Sequence, residues 1–126
     1  PQSLSLVTKF SQEEHKTLIL VQLPVAEPIG VKVNEVRVIP DIKNTIVETV
    51  NHLRKANSYV FTTGGIGPTH DDITALSISK AFSLEYEIHK EAFKILESYY
   101  KVGEFNEGRQ KMVWMPSNAN LYYYFS

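Results

Sequence analysis

From Gly30 onward, the spacing of apolar residues switches between two periods. "VKVNEVRVI", Val31 to Ile39, is rich in β-branched residues, and its alternation shifts phase between Val33 and Val36. That predicts one strand with an irregular start. In "PDIKNTIVETVNHLRKAN", Ile42, Ile46, Val50 and Leu53 fall on one helical face, with Asp41 as the N-cap. "SYVFTT", Ser58 to Thr63, is short and uninterrupted, which predicts a central strand buried on both sides in a parallel sheet. Asp71 to about Phe82 predicts a second helix, with Ile73, Leu76 and Lys80 on one stripe. His89 to Lys101 predicts a third, with Phe93, Leu96 and Tyr100 inward. "KMVWMP", Lys111 to Pro116, predicts a strand closed by proline.

Strand and helix thus alternate, and the expected fold is α/β: three-layer α/β/α with a mostly parallel central sheet, as a single domain over residues 1–126. Ligands of such sheets bind at the carboxyl ends of strands, which is where Gly64 to Thr69 falls. Pro1 to Ile29 stays unassigned. "SLSLVTKF" and "TLILVQLPV" read as two strands around the polar turn "SQEEHK", with no motif of chemical meaning.

The chemistry concentrates in "FTTGGIGPTHDDIT", Phe61 to Thr74. Gly64, Gly65 and Gly67 allow positive φ and close backbone approach to a ligand. Successive backbone N–H groups in such turns form an anion nest, reinforced by a following helix N-terminus. Pro68 stiffens the loop, and Thr62, Thr63 and Thr69 supply hydroxyls. The loop lacks the lysine of a P-loop, and its glycine spacing does not match GxGxxG. A plainer reading stands beside this one. Thr69 and Asp72 have capping-box spacing, Asp71 complements a helix dipole, and the glycines make a tight turn. Charge tilts the choice. Two carboxylates beside a phosphate repel it by a few kcal/mol at an effective dielectric of about 20, and a divalent cation between them removes the conflict. Carboxylate plus substrate phosphate is how Mg²⁺ is commonly held. The stretch therefore predicts a metal-assisted phosphate or pyrophosphate site. Asp72 is its metal-linked carboxylate in the first turn of the helix, with Asp71 as the weaker member of a catalytic pair.

Composition adds mainly exclusions. The 126 residues carry a formal net charge of -1, so no global basic field draws in nucleic acid or an anionic membrane. The chain has no cysteine, which removes disulfides, thiol nucleophiles and cysteine-ligated zinc. The longest apolar runs are too short to span a bilayer, and no signal pattern opens the chain. The expected location is cytoplasmic.

"TTGGIGPTHDDIT" resembles the signature of the molybdopterin-binding (MoCF) domain family, shared by MogA/MoaB-type proteins, MoeA, CinA proteins and the front domain of eukaryotic FAD synthases. The "PTxDD" form is similar to the CinA and FAD-synthase branch, whereas MogA-type sequences more often place an arginine where Asp71 stands. The likeness extends through "GVKVNEVRVIPDIKNTIVETVNHLRKANSYV" before the signature and "NEGRQKMVWMPSNANL" after it, and so covers about Gly30 to Leu121. Pro1 to Ile29 shows no "GDELLxGxxxDxN" stretch of the kind that opens the family's domain. The resemblance implies an α/β/α fold and binding of molybdopterin or an adenine nucleotide at Thr62, Thr63, Gly64, Gly65, Gly67, Pro68, Thr69 and Thr74. It implies Mg²⁺ or another divalent cation. The activity is then cleavage of a nucleotide pyrophosphate such as ADP-ribose or FAD, or molybdopterin adenylylation in molybdenum cofactor biosynthesis. A binding module without turnover is the remaining alternative. Partners are a small pterin or nucleotide and further copies of the chain. A dimer or trimer is expected from the family habit and from the apolar first segment and the "YYYF" tail.

The other candidates read less sharply. His70 lies within the signature, and Arg109 lies in the segment that resembles a nucleotide-proximal part of the family. Ser117 and Asn118 line the pocket or form a turn. His15, His52 and His89 have no metal-ligand spacing, and His89 reads as incidental. Trp114 reads as a packing residue.

Overall fold

The computed structural model describes residues 2–10 and 31–122. Strand β1 (Gln2–Phe10) lies between β2 (Val31–Pro40) and β3 (Tyr59–Thr63), and both ladders are parallel. Leu4 pairs with Val33 but Ser5 pairs with Glu35, so Asn34 is the extra residue of a β-bulge. That bulge is the phase shift seen in the sequence. "SLSLVTKF" is thus part of a strand, the middle one of the described sheet. "TLILVQLPV" lies outside the described residues.

Helix α1 (Lys43–Ala56) packs on β2 and β3. Ile39, Ile46, Val50, Leu53 and Ala81 form the core, with Val47, Val60 and Ile73 packed against it. Then follow α2 (Thr74–Ala81), β4 (Tyr86–Ile88), α3 (Lys90–Tyr99), the short α4 (Glu107–Gln110), a 3-10 turn at Lys111–Val113, and β5 (Trp114–Pro116). β4 and β5 pair antiparallel in a ladder of their own. A parallel sheet with packed helices agrees with the expected α/β class. No helix among the described residues is long and apolar enough to cross a membrane.

Several local expectations change. β3 is not central: it forms one edge of the described three-stranded sheet, and its exposure alternates. Val60 meets the core under α1, while Tyr59 and Phe61 point away and are 44% and 54% exposed. The cause is β1, which takes the middle position. Asp41 stands one residue before the N-cap position of α1. The N-cap is Ile42, half exposed and without a side-chain cap bond. Helix α2 starts at Thr74, later than Asp71, and Leu76 is exposed. Its inward residues are Thr74, Ser77, Ser79 and Ala81, small enough to let α2 lie directly against α1. The Ser77 and Ser79 hydroxyls donate to the carbonyls of Ile73 and Ala75, 2.7 and 2.8 Å away, which satisfies them without solvent. Lys111–Val113 is helical rather than extended.

His89 is not incidental. Its Nδ1 accepts from the Ala92 N–H (3.2 Å) at the start of α3, and its Nε2 lies 3.0 Å from the Ala119 carbonyl. One neutral tautomer, protonated at Nε2, satisfies both contacts. Phe93 and Tyr100 both turn toward Phe105, edge-on at 5.0 Å and stacked at 5.7 Å. Trp114 packs on Tyr86 with ring centroids 5.3 Å apart.

Candidate functional site

The loop after β3 leaves the sheet at the carboxyl ends of its parallel strands. Gly64 and Gly65 both have positive φ, +81° and +65°. Thr74 holds this turn from behind: its N–H donates to the Gly65 carbonyl (3.1 Å) and its hydroxyl to the Gly64 carbonyl (2.7 Å). The fit is close. A Cβ at Gly65 would lie 2.3 Å from Thr74 Oγ1. Thr74 is almost fully buried, so it shapes the loop from the protein side. Thr62 is half-buried, and Thr63, Pro68 and Thr69 are exposed around the turn.

Asp72 closes the second half of the loop. Its Oδ2 accepts from the Thr69 N–H (3.0 Å) and the Thr69 hydroxyl (2.8 Å), and the Asp72 N–H returns a bond to the Thr69 carbonyl (3.2 Å). Thr69 and Asp72 thus pair at the expected spacing but staple a turn. Asp72 lies before the Ile73 N-cap of α2 and outside the helix's first turn. Burial alone pushes the Asp72 carboxyl up. Hydrogen bonds from the Thr69 backbone, the Thr69 hydroxyl and the Gly67 backbone, with the Lys111 charge, outweigh that and hold it below its ordinary value. Gly67 is required by proximity, because a Cβ there would sit 2.8 Å from Asp72 Oδ2. Asp71 is largely exposed and lies 3.3 Å from the equally exposed His70.

Two charged residues reach the loop from elsewhere. Asp41 follows β2, and its Oδ1, shielded from solvent, would be 3.6 Å from a Cβ at Gly65. A carboxylate directly after a parallel strand fits the rule that ligands gather there, a place its local pattern as a helix cap does not reveal. Lys111, distant in sequence, donates from Nζ to the Thr69 carbonyl. No local pattern marked it.

The site is thus a glycine turn at a parallel sheet's carboxyl edge, with Asp41 and Asp72 beside it. The family described as "Probable molybdopterin binding domain" matches residues 13–122. The chain belongs to this molybdopterin-binding domain family. A protein of Pyrobaculum arsenaticum is 37% identical over 93 residues, 72% of this chain and 35% of its own length. A CinA-like protein of Kosmotoga olearia is 31% identical over 93 residues, 72% of this chain and 23% of its own. The chain therefore spans about a third or less of these two relatives. The crystal structure of the protein CinA from Thermoplasma acidophilum superposes with a TM-score of 0.82 at 21% identity, over 92% of this chain and 71% of that one. The fold is accordingly the α/β architecture of the molybdopterin-binding domain.

Within that family frame, the donor set can be tested for a metal. No group of three or more His, Cys, Asp and Glu that could hold an ion occurs among the described residues. What is present is the Asp41 carboxylate near Gly65 and the Asp72 carboxylate near Gly67, with Asp72 Oδ2 bonded by Thr69. Mg²⁺ at phosphate sites needs only one or two carboxylates when phosphate oxygens complete its shell. The residues fit a cation that arrives with a phosphate ligand and do not fit a cage that holds one unaided.

The remaining candidates lie away from the loop or serve the fold. The Arg109 guanidinium rests 4.5 Å over the Tyr100 ring and donates to the Glu104 carbonyl (2.7 Å). The Ser117 N–H bonds the Glu85 carbonyl (2.7 Å), and Asn118 has a positive φ of 65°, so both belong to the turn after β5. Tail residues 123–126 lie outside the described residues.

Proposed function

We propose that this domain binds the phosphate or pyrophosphate of a nucleotide or pterin on the Gly64–Asp72 loop, as its complex with a divalent cation. The observation that carries the reading is the pair of positive-φ glycines held by Thr74 and flanked by Asp41 and Asp72. Backbone N–H groups of the turn receive phosphate oxygens. Asp41 and Asp72 would hold the cation, which would supply charge neutralisation and Lewis-acid polarisation of a phosphoryl oxygen. Thr74 and the Thr69–Asp72 staple keep the cradle in shape before the ligand arrives, which lowers the ordering cost of binding. Relationship to CinA-like proteins favours a nucleotide pyrophosphate over free molybdopterin, and metal-dependent cleavage of that pyrophosphate is the proposed activity.

Thermal shift with ADP-ribose, FAD, ATP and molybdopterin, each with and without Mg²⁺, tests the reading. A ligand at about 100 times its Kd adds roughly 2.7 kcal/mol, on the order of 10 °C for a domain of this size. The expected result is a cation-dependent shift with ADP-ribose or FAD, and on chromatography hydrolysis by one water to AMP with ribose 5-phosphate or FMN. Shifts without products would make the domain a binding module. No shift with any of the four at millimolar concentration would refute the site.

A further inference from the structure

Glycine cradles for phosphate commonly include a lysine inside the loop, and "GGIGPTHDD" has none. We propose that Lys111 is the phosphate-contacting cation of this site, delivered to the loop from the segment after α4. The proposal rests on the phosphate reading of the loop given above.

Three observations carry it. First, Lys111 Nζ already touches the loop, donating to the Thr69 carbonyl between the glycines and Asp72. An ammonium has three N–H donors, and this contact uses one. Second, the backbone that carries Lys111 is anchored. Asn106 Oδ1 accepts from the Arg109 N–H at 3.0 Å, and the Gln110 N–H reaches the Asn106 carbonyl at 2.9 Å. A Cβ added at Gly108 would lie 3.5 Å from the Pro68 carbonyl oxygen, so the segment packs closely on the loop. On its other side, Val113 is 1% exposed, and its carbonyl accepts from the His89 N–H at 2.8 Å. Third, the neighbouring cation is committed elsewhere: Arg109 is held on the Tyr100 ring and the Glu104 carbonyl.

Charge balance explains why a cation belongs there. Asp41, Asp71 and Asp72 ring the loop, and an incoming phosphate adds to their negative field. A bound divalent cation offsets part of it on the carboxylate side. Lys111 offsets it from the Pro68–Thr69 side and needs only to lean from a carbonyl to a phosphate oxygen. A lysine's flexible stem suits that movement, and its compact point charge suits a phosphate.

The test uses inorganic pyrophosphate with Mg²⁺ and isothermal calorimetry on the wild type, Lys111→Met and Lys111→Arg. The expected result is at least tenfold weaker binding in Lys111→Met, partial recovery in Lys111→Arg, and a shallower dependence of affinity on salt in the Met variant, because one screened attraction is gone. A purely structural staple would lower thermal stability but leave the salt dependence of affinity unchanged. Wild-type binding with Lys111→Met within twofold of it overturns the lysine proposal alone. Failure of the wild type to bind overturns the site reading itself. Should the Met variant not fold, acetylation of the wild type followed by mass spectrometry decides. Mg-pyrophosphate is expected to protect Lys111 selectively, and equal labelling with and without it overturns the proposal.

Discussion

Replacing Gly65 by alanine tests how tightly the loop is made. Gly65 has φ +65°, where an L side chain costs about 1–2 kcal/mol. The new Cβ would also lie 2.3 Å from Thr74 Oγ1, a separation that no relaxed structure keeps. Thr74 cannot simply swing away, because it is 2% exposed and its hydroxyl bonds the Gly64 carbonyl at 2.7 Å. Losing that bond costs about 1 kcal/mol, and forcing atoms into a filled space costs roughly 1–3 kcal/mol. Gly65→Ala should therefore destabilise by about 3–6 kcal/mol, a large part of the 5–15 kcal/mol typical of a domain. Urea unfolding followed by circular dichroism measures it. A double-mutant cycle with Thr74→Ala separates strain from clash. Without Oγ1, the nearest atoms to the added Cβ are Thr74 Cβ at 3.4 Å and Asp41 Oδ1 at 3.6 Å, ordinary contacts. The two changes should thus couple favourably by about 2 kcal/mol, leaving mainly the φ penalty. A cost under about 1 kcal/mol for Gly65→Ala, or strict additivity in the cycle, would show that Thr74 does not hold the turn.

Two further outcomes follow from the contacts. Asp72→Asn keeps an oxygen for Thr69 but removes the charge, and should cost about 1 kcal/mol at neutral pH after discounting for partial exposure. Burial raises the Asp72 carboxyl, but its hydrogen bonds from Thr69 and Gly67 and the Lys111 charge hold it below its ordinary value, so its contribution is complete above the ordinary carboxylate pKa of about 4 and lost as pH falls through the folded value. The stability gap between wild type and the Asn variant should close in that acid window, and a gap constant down to about pH 2 would disprove the assignment. His89→Ala removes the Ala92 cap and the Ala119 contact, at a cost of about 1–2 kcal/mol. Hydrogen exchange at the Ala92 amide should accelerate, and unchanged protection there would argue against the cap.

What was legible in the sequence was local. The Asn34 bulge could be read because an extra residue breaks a period of two. The Gly64–Gly65 turn could be read because few other residues tolerate its backbone. Sheet order could not be read, since nothing in "SYVFTT" records that β1 occupies the middle. The inward face of α2 was misjudged because Thr74, Ser77 and Ala81 are buried by the closeness of α1, a matter of size that counting apolar residues misses. Asp41 had a sufficient local explanation as a cap, and that concealed its place beside Gly65. Lys111 reaches the site only through the packing of α4 on Pro68, a long-range contact with no periodic trace.

The middle position of β1 also bears on how the sheet is assembled. Among the described residues, β2 and β3 share no ladder, and each pairs with β1 alone. The pairs Gln2 with Val31 and Leu4 with Tyr59 join distant parts of the chain, so the sheet cannot grow from a hairpin and waits on slow, non-local closure. A β2–α1–β3 unit formed beforehand would hold a slot about 10 Å wide, two strand spacings, with unpaired backbone on both rims. Any extended segment of matching pattern fits such a slot, including β1 of another copy. Refolding at high chain concentration is therefore expected to yield strand-exchanged pairs, and dilution during renaturation to favour the sheet closed within one chain.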